Sequence, residues 1–152
     1  KLFPNKNFIF NEGYCYVHNS ITKERIEEAL ALFPEAKVIV HPECTMEVAE
    51  MADYVGSTSG IIDYATKSDA KVSIVGTEKG VLYQLKQKNP DKEFYFVGHK
   101  QMCLNMKKIT LEKIEQALLT MKNPIELDEN LRVKAEKALK RMHEINRSMI
   151  SY

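Results

Sequence analysis

Lys37-Val38-Ile39-Val40-His41-Pro42-Glu43-Cys44 is the stretch that decides the fold. An unbroken β-branched triplet ends abruptly at a polar His-Pro-Glu sequence. A strand with one face in water alternates apolar and polar residues, whereas a continuous run marks a strand covered on both faces. Val72-Ser73-Ile74-Val75 reads as a second β-branched strand, closed by Gly76-Thr77-Glu78. Tyr54-Val55 is a brief strand before Gly56-Ser57-Thr58-Ser59-Gly60, and residues 93–97 form another before Gly98-His99. Phe8-Ile9-Phe10 reads as a buried strand feeding a turn at Asn11-Glu12-Gly13. Helical stretches lie between the strands. Thr22 can cap a helix whose apolar positions are Ile26, Ala29, Leu30 and Phe33, and Pro34 stops it. Shorter helices are expected over 45–52 and 61–66, and another runs through Val81, Leu82 and Leu85 toward Asn89-Pro90. Strands alternating with helices imply an α/β fold: a parallel sheet with helices on its faces and right-handed crossovers.

Beyond Cys103 the pattern changes. Thr110 starts a helix with Leu111, Ile114, Leu118 and Met121 on one face, Asn123-Pro124 breaks it, and Asp128 caps a long helix carrying Leu131, Ala135, Ala138, Leu139 and Met142. Two amphipathic helices without a strand read as an appendage that packs on something else.

The 152 residues are 44% hydrophobic and 28% charged, which suits a buried core rather than disorder. A formal net charge of +1 gives no basic excess for nucleic acid or an anionic membrane. The apolar runs are too short to span a bilayer, and the start lacks the apolar stretch of a signal peptide. Three cysteines, at 15, 44 and 103, make a poor disulfide framework and point to a reduced, cytoplasmic chain whose thiols are free for metal or catalysis.

Ligands of parallel α/β sheets bind at the carboxyl ends of the strands. Those ends carry Cys15 and His18, His41 to Cys44, Gly56 to Gly60, Thr77 and Glu78, and His99 with Cys103. Gly-Ser-Thr-Ser-Gly is either an anion cradle of amides and hydroxyls or a plain helix cap between turn glycines. His41 and Glu43 are either an acid–base pair flanking a rigid Pro42, aimed the same way by strand alternation, or solvated loop residues. The cysteines show no close pair; they are either ligands gathered from separate loops or small core residues. Cys15-x-x-His18 is the one spacing compatible with a zinc site, and a non-catalytic anion-binding module is a further possibility.

Gly13-Tyr14-Cys15-Tyr16-Val17-His18, His41-Pro42-Glu43-Cys44, Ala52-Asp53-Tyr54-Val55-Gly56-Ser57-Thr58-Ser59, Gly76-Thr77-Glu78 and Cys103-Leu104-Asn105-Met106-Lys107, in this order and spacing, resemble the C-terminal half of the quinolinate synthases. The resemblance implies three-layer α/β domains around a pseudo-threefold axis. Residues 1–16 would end one domain, 17–103 form the next with substrate-site loops, and 104–152 form a helical tail packing on a first domain that this chain lacks. It implies a 4Fe–4S cluster with Cys15 and Cys103 as ligands and Cys44 not a ligand. It implies that His41, Pro42 and Glu43 line the substrate cavity, with His41 and Glu43 catalytic and Glu43 shuttling protons. Ser57 and Thr58 would hold a substrate anion. The reaction implied is the condensation of iminoaspartate with dihydroxyacetone phosphate to quinolinate for NAD biosynthesis. With the third cluster ligand on the missing half, the chain alone would be inactive.

Overall fold

The computed structural model describes residues 4–10, 12–98 and 101–149. In chain order its elements are α1 (Tyr16–Asn19), α2 (Lys23–Leu32), β1 (Lys37–Val40), α3 (Met46–Glu50), β2 (Tyr54–Val55), α4 (Thr58–Lys67), β3 (Val72–Gly76), α5 (Leu82–Lys88), β4 (Glu93–Phe96), α6 (Leu111–Thr120) and α7 (Glu129–Met149). A 3-10 turn, Lys79–Val81, leads into α5, and a second spans Met106–Lys108. Lys1–Lys107 and Lys108–Tyr152 are two compact units.

All strands of the first unit are parallel, in the order β2-β1-β3-β4. The apolar run at 38–40 therefore sits where the sequence places it, with a neighbour on either side and helices on either face. Val38, Ile39 and Val40 are all fully buried. Their side chains alternate between two cores. Val38, Val40 and Ile74 join Ile21, Ile26 and Val48 on one face. Ile39, Val75 and Phe94 join Ile61, Ile62, Ala65 and Leu85 on the other. Each such fully buried aliphatic side chain contributes about 1.5–3 kcal/mol, so the two cores fix the sheet and its helices as one α/β body.

In the register of β1 and β3, Val40 pairs with Gly76. A Cβ on Gly76 would lie 2.8 Å from Val40 Cγ1, which is why a glycine closes β3. At the other end of β1, Asp53 Oδ2 accepts from the Val38 amide at 2.8 Å and Asp53 Oδ1 meets Lys37 Nζ at 2.6 Å.

The expected strand at Phe8-Ile9-Phe10 is not formed. Ile9 and Phe10 are 98% and 83% exposed, and none of the four strands pairs with this segment. An apolar triplet becomes a strand only where a sheet edge takes up its backbone donors and acceptors. Asn11, in the turn expected after it, and His99 lie outside the described residues.

In the second unit, Thr110 caps α6 by accepting from Lys113 N at 3.3 Å, and Met121 ends it in a left-handed conformation at φ 50°. Asp128 caps α7 by accepting from Leu131 N at 3.0 Å. Both helices expose apolar side chains, among them Leu111, Leu118, Leu131 and Leu139. Among the described residues no helix is long and apolar enough to cross a membrane.

Candidate functional site

Because every strand runs the same way, the segments after β1, β2, β3 and β4 emerge on one edge of the sheet. His41 is tied to that edge by its amide, which donates to the Gly76 carbonyl at 3.0 Å. A turn closed by the Cys44 amide on the His41 carbonyl, also 3.0 Å, folds Glu43 back over His41. The Glu43 amide donates to His41 Nδ1 at 3.3 Å, and Glu43 Oε2 lies 3.8 Å from the same nitrogen. His41 and Glu43 thus do meet, through this turn rather than through strand alternation.

His18, on the short helix α1, completes the group. It is buried, with Nδ1 2.8 Å from Glu43 Oε2 and Nε2 3.0 Å from Thr77 Oγ1. Its ring stacks on that of His41 with centroids 4.3 Å apart and planes 8° off parallel. Burial, and then the neighbouring His18, push the His41 ring below its ordinary histidine value. Neutral His41, with Nδ1 accepting, carries its hydrogen on Nε2. Cys15 Sγ, a His18 ring nitrogen and a Glu43 oxygen all lie within 4.8 Å of one another. Gly13, Tyr14, Cys15 and Glu43 line an open depression of about 410 Å³ beside them.

The three cysteines have three environments. Cys44 is buried in the core, its thiol donating to the Gly76 carbonyl at 3.4 Å, and burial pushes that thiol up to about 11. Cys15 is half-buried at the N-cap of α1. Cys103, also half-buried, has its thiol held below the ordinary value by the Met106 amide and then by the Tyr16 hydroxyl. The same hydroxyl accepts from the Leu104 amide at 2.9 Å. Tyr16 follows Cys15 directly in sequence, so one ring links the two cysteine segments. Glu78 anchors the Cys103 loop from the end of β3, accepting from Cys103 N at 3.2 Å and Gly80 N at 2.6 Å. Burial pushes the Glu78 carboxyl up, but those two amides and Lys107, 3.4 Å away, outweigh it and hold it below the usual range.

Ser57 and Thr58 stand at the exposed start of α4. Ser57 Oγ caps the helix, accepting from Gly60 N at 3.2 Å. The two glycines of the motif make room for Tyr54, whose ring a Cβ at either position would strike. No hydrogen bond joins Ser57 or Thr58 to the His41–Glu43 group among the described residues; they share the edge, not a network.

Of the residues that do form the network, His18 is visible in sequence within its motif, but its role is not, and Thr77, Tyr16 and Glu78 give no individual signal. The partners of His18 lie 25 and 59 positions away, beyond any local pattern.

The family model described as quinolinate synthetase A protein matches residues 1–144. Quinolinate synthase of Clostridioides difficile is 48% identical over 143 residues, covering 94% of this chain and 47% of that protein. Quinolinate synthase of Caldicellulosiruptor bescii is 50% identical over 145 residues, covering 95% and 48%. Quinolinate synthase 2 of Methanosarcina acetivorans is 46% identical over 141 residues, covering 93% and 46%. The chain spans about half the length of the curated relatives it matches. Since the match takes in all four strands and every strand end described above, the chain belongs to the quinolinate synthetase A protein family.

Proposed function

We propose that this chain supplies part of a quinolinate synthase active site, and that together with the portion of the family's length it does not span it condenses iminoaspartate with dihydroxyacetone phosphate to quinolinate, in NAD biosynthesis. Cys15 and Cys103 are two of three thiolates holding a 4Fe–4S cluster, the third coming from the other portion. The observation that carries this reading is the clustering of the Cys15 sulfur with His18 and the Glu43 carboxylate within 4.8 Å, beside an open depression. It puts a candidate metal ligand next to a candidate proton carrier.

The donor set suits the group. Thiolate is the ligating form, and hydrogen bonds favour it at Cys103, while burial keeps Cys44 protonated and out of reach. When bound, a cluster with one iron free of protein ligands supplies a Lewis acid that polarises a substrate oxygen.

The chain's own residues do the rest. Glu43 accepts and returns protons during dehydration and tautomerisation. Neutral His41 offers its Nε2–H to a substrate oxygen, and Pro42 stiffens the turn between them. Ser57 and Thr58 take an anionic substrate group through hydroxyls and the free amides of the α4 start. The free thiols suit a reducing cytoplasm. By itself the chain is inactive, because two cysteines leave the cluster one ligand short.

The test is anaerobic reconstitution with iron and sulfide of this chain together with the N-terminal portion of the C. difficile relative. A brown complex that forms quinolinate is expected. Cys15→Ala and Cys103→Ala abolish the colour and the product, and Cys44→Ala retains the colour. Stoichiometric zinc without iron or sulfide would overturn the reading in favour of a zinc site at Cys15, His18 and Glu43. The engagement of both His18 nitrogens already disfavours that site.

A further inference from the structure

His18 has no part in the chemistry just set out, yet it is the side chain that holds Glu43. Both of its nitrogens are engaged, Nδ1 with Glu43 Oε2 and Nε2 with Thr77 Oγ1. A neutral imidazole has one N–H, so one nitrogen donates and the other accepts. A carboxylate has no hydrogen to offer, so Nδ1 carries it. Nε2 then needs a donor, and the Thr77 hydroxyl is the group in place. Thr77 is 2% exposed, and its carbonyl is fixed by Gln101 Nε2 at 2.8 Å, so the hydroxyl sits on a rigid part of the sheet edge. Stacking on His41 fixes the plane of the His18 ring.

We infer that Thr77 and His18 are positioning residues: Thr77 donates to Nε2, holds His18 in its Nδ1–H form, and thereby aims an N–H that fixes the Glu43 carboxylate at the opening. The order of donation is Thr77 O–H to His18 Nε2, then His18 Nδ1–H to Glu43. This gives the middle residue of Gly76-Thr77-Glu78 a task. It rests on the proposed role of Glu43 as proton carrier. Misplacing a reacting group by about 1 Å can cost on the order of 100-fold in rate, so the pair would act on turnover rather than on substrate binding.

The test has two arms. The chain contains four histidines, so a ¹⁵N-histidine-labelled sample of the full chain gives few signals, and His18→Gln assigns the one of interest. Expected are a protonated Nδ1 and an unprotonated, hydrogen-bonded Nε2 on His18. Thr77→Val shifts the Nε2 signal toward that of a free acceptor or mixes the two tautomers, and Thr77→Ser restores it. In the reconstituted complex, Thr77→Val lowers kcat by about 10-fold or more with KM little changed, and Thr77→Ser recovers it. An Nε2-protonated His18 in the unsubstituted chain would overturn the inference even if Thr77→Val fails to fold. So would a Thr77→Val chain with unaltered spectrum and kcat. Full activity in Glu43→Gln would instead sink the proposed function and leave the tautomer result standing, so the two failures are told apart.

Discussion

The two ends of β1 use their polar groups differently. At its start, Asp53 binds the Val38 amide and Lys37, and its own amide donates to the Val38 carbonyl at 2.8 Å. All three contacts tie the residue that precedes β2 back to the start of β1. At its far end, His41 and Glu43 find partners on other elements: His18 from α1 and, through it, Thr77 after β3. That network stays open on one side, where Glu43 lines the depression with Cys15. One end ties the sheet together. The other holds reactive groups at fixed separations while leaving them reachable. Substitutions at the far end should therefore change chemistry more than stability, and substitutions at the start the reverse.

Glu43→Gln gives the largest separation. In its proposed role as proton carrier, its loss lowers kcat of the reconstituted complex by about 10²–10⁴-fold. Its side chain is 54% exposed, so the thermal midpoint should barely move. A marked drop in melting temperature with little loss of turnover would break the contrast. Gly76→Ala comes next and strikes both properties. The new Cβ would sit 2.8 Å from Val40 Cγ1, and overpacking of this kind costs about 1–3 kcal/mol in denaturant titrations. Because the Gly76 carbonyl receives the His41 amide, turnover should fall with it. Ser57→Ala is milder, removing a helix cap worth about 1 kcal/mol. If the α4 start also holds a substrate anion, KM rises with kcat unchanged, and Thr58→Ala reproduces the KM change without the stability loss. An unaltered KM in both variants would reduce Ser57 to a cap.

The sheet was legible because its signal is local. Val38-Ile39-Val40 is apolar at every position, which suits a strand covered on both faces. The faces of α6 and α7 were legible by helical periodicity, and their caps Thr110 and Asp128 stand where expected. Phe8-Ile9-Phe10 looks equally strand-like, but strand formation depends on a neighbour that a residue pattern does not reveal. The site was legible in its parts. The pattern left His41 and Glu43 as either a pair or solvated loop residues, and each cysteine as either a ligand or a core residue; the structure brings the first two together and buries Cys44. What joins the parts was hidden. α1 is four residues long, too short for a periodic signal, so nothing in the sequence aims His18 at Glu43. The glycines around Ser57-Thr58-Ser59 suggest close approach of a ligand, whereas the group they make room for is the ring of Tyr54. Glycine spacing announces a close approach without naming what approaches.

Asp53 offers the smallest effect and the cleanest sign. Burial pushes its carboxyl up, but the hydrogen bonds from Lys37 and the Val38 amide outweigh this and leave it below its ordinary value near 3.8. A carboxyl held down in the folded state favours folding wherever it is ionised. That contribution is complete above the ordinary value and disappears as pH falls through the lower, folded one. Lys37 is nearly half exposed, so the ion pair is partly screened and the contribution is about 1 kcal/mol or less. Urea titrations of the chain and of its Asp53→Asn variant should differ by this amount from neutral pH down to about pH 4. The two should converge in stronger acid, and the gap should narrow in high salt. A gap that persists below the folded value would mean that the carboxyl acts through its shape and hydrogen bonds rather than its charge. Turnover of the reconstituted complex at neutral pH should be the same for both proteins, because nothing at this end of β1 touches the His41–Glu43 group.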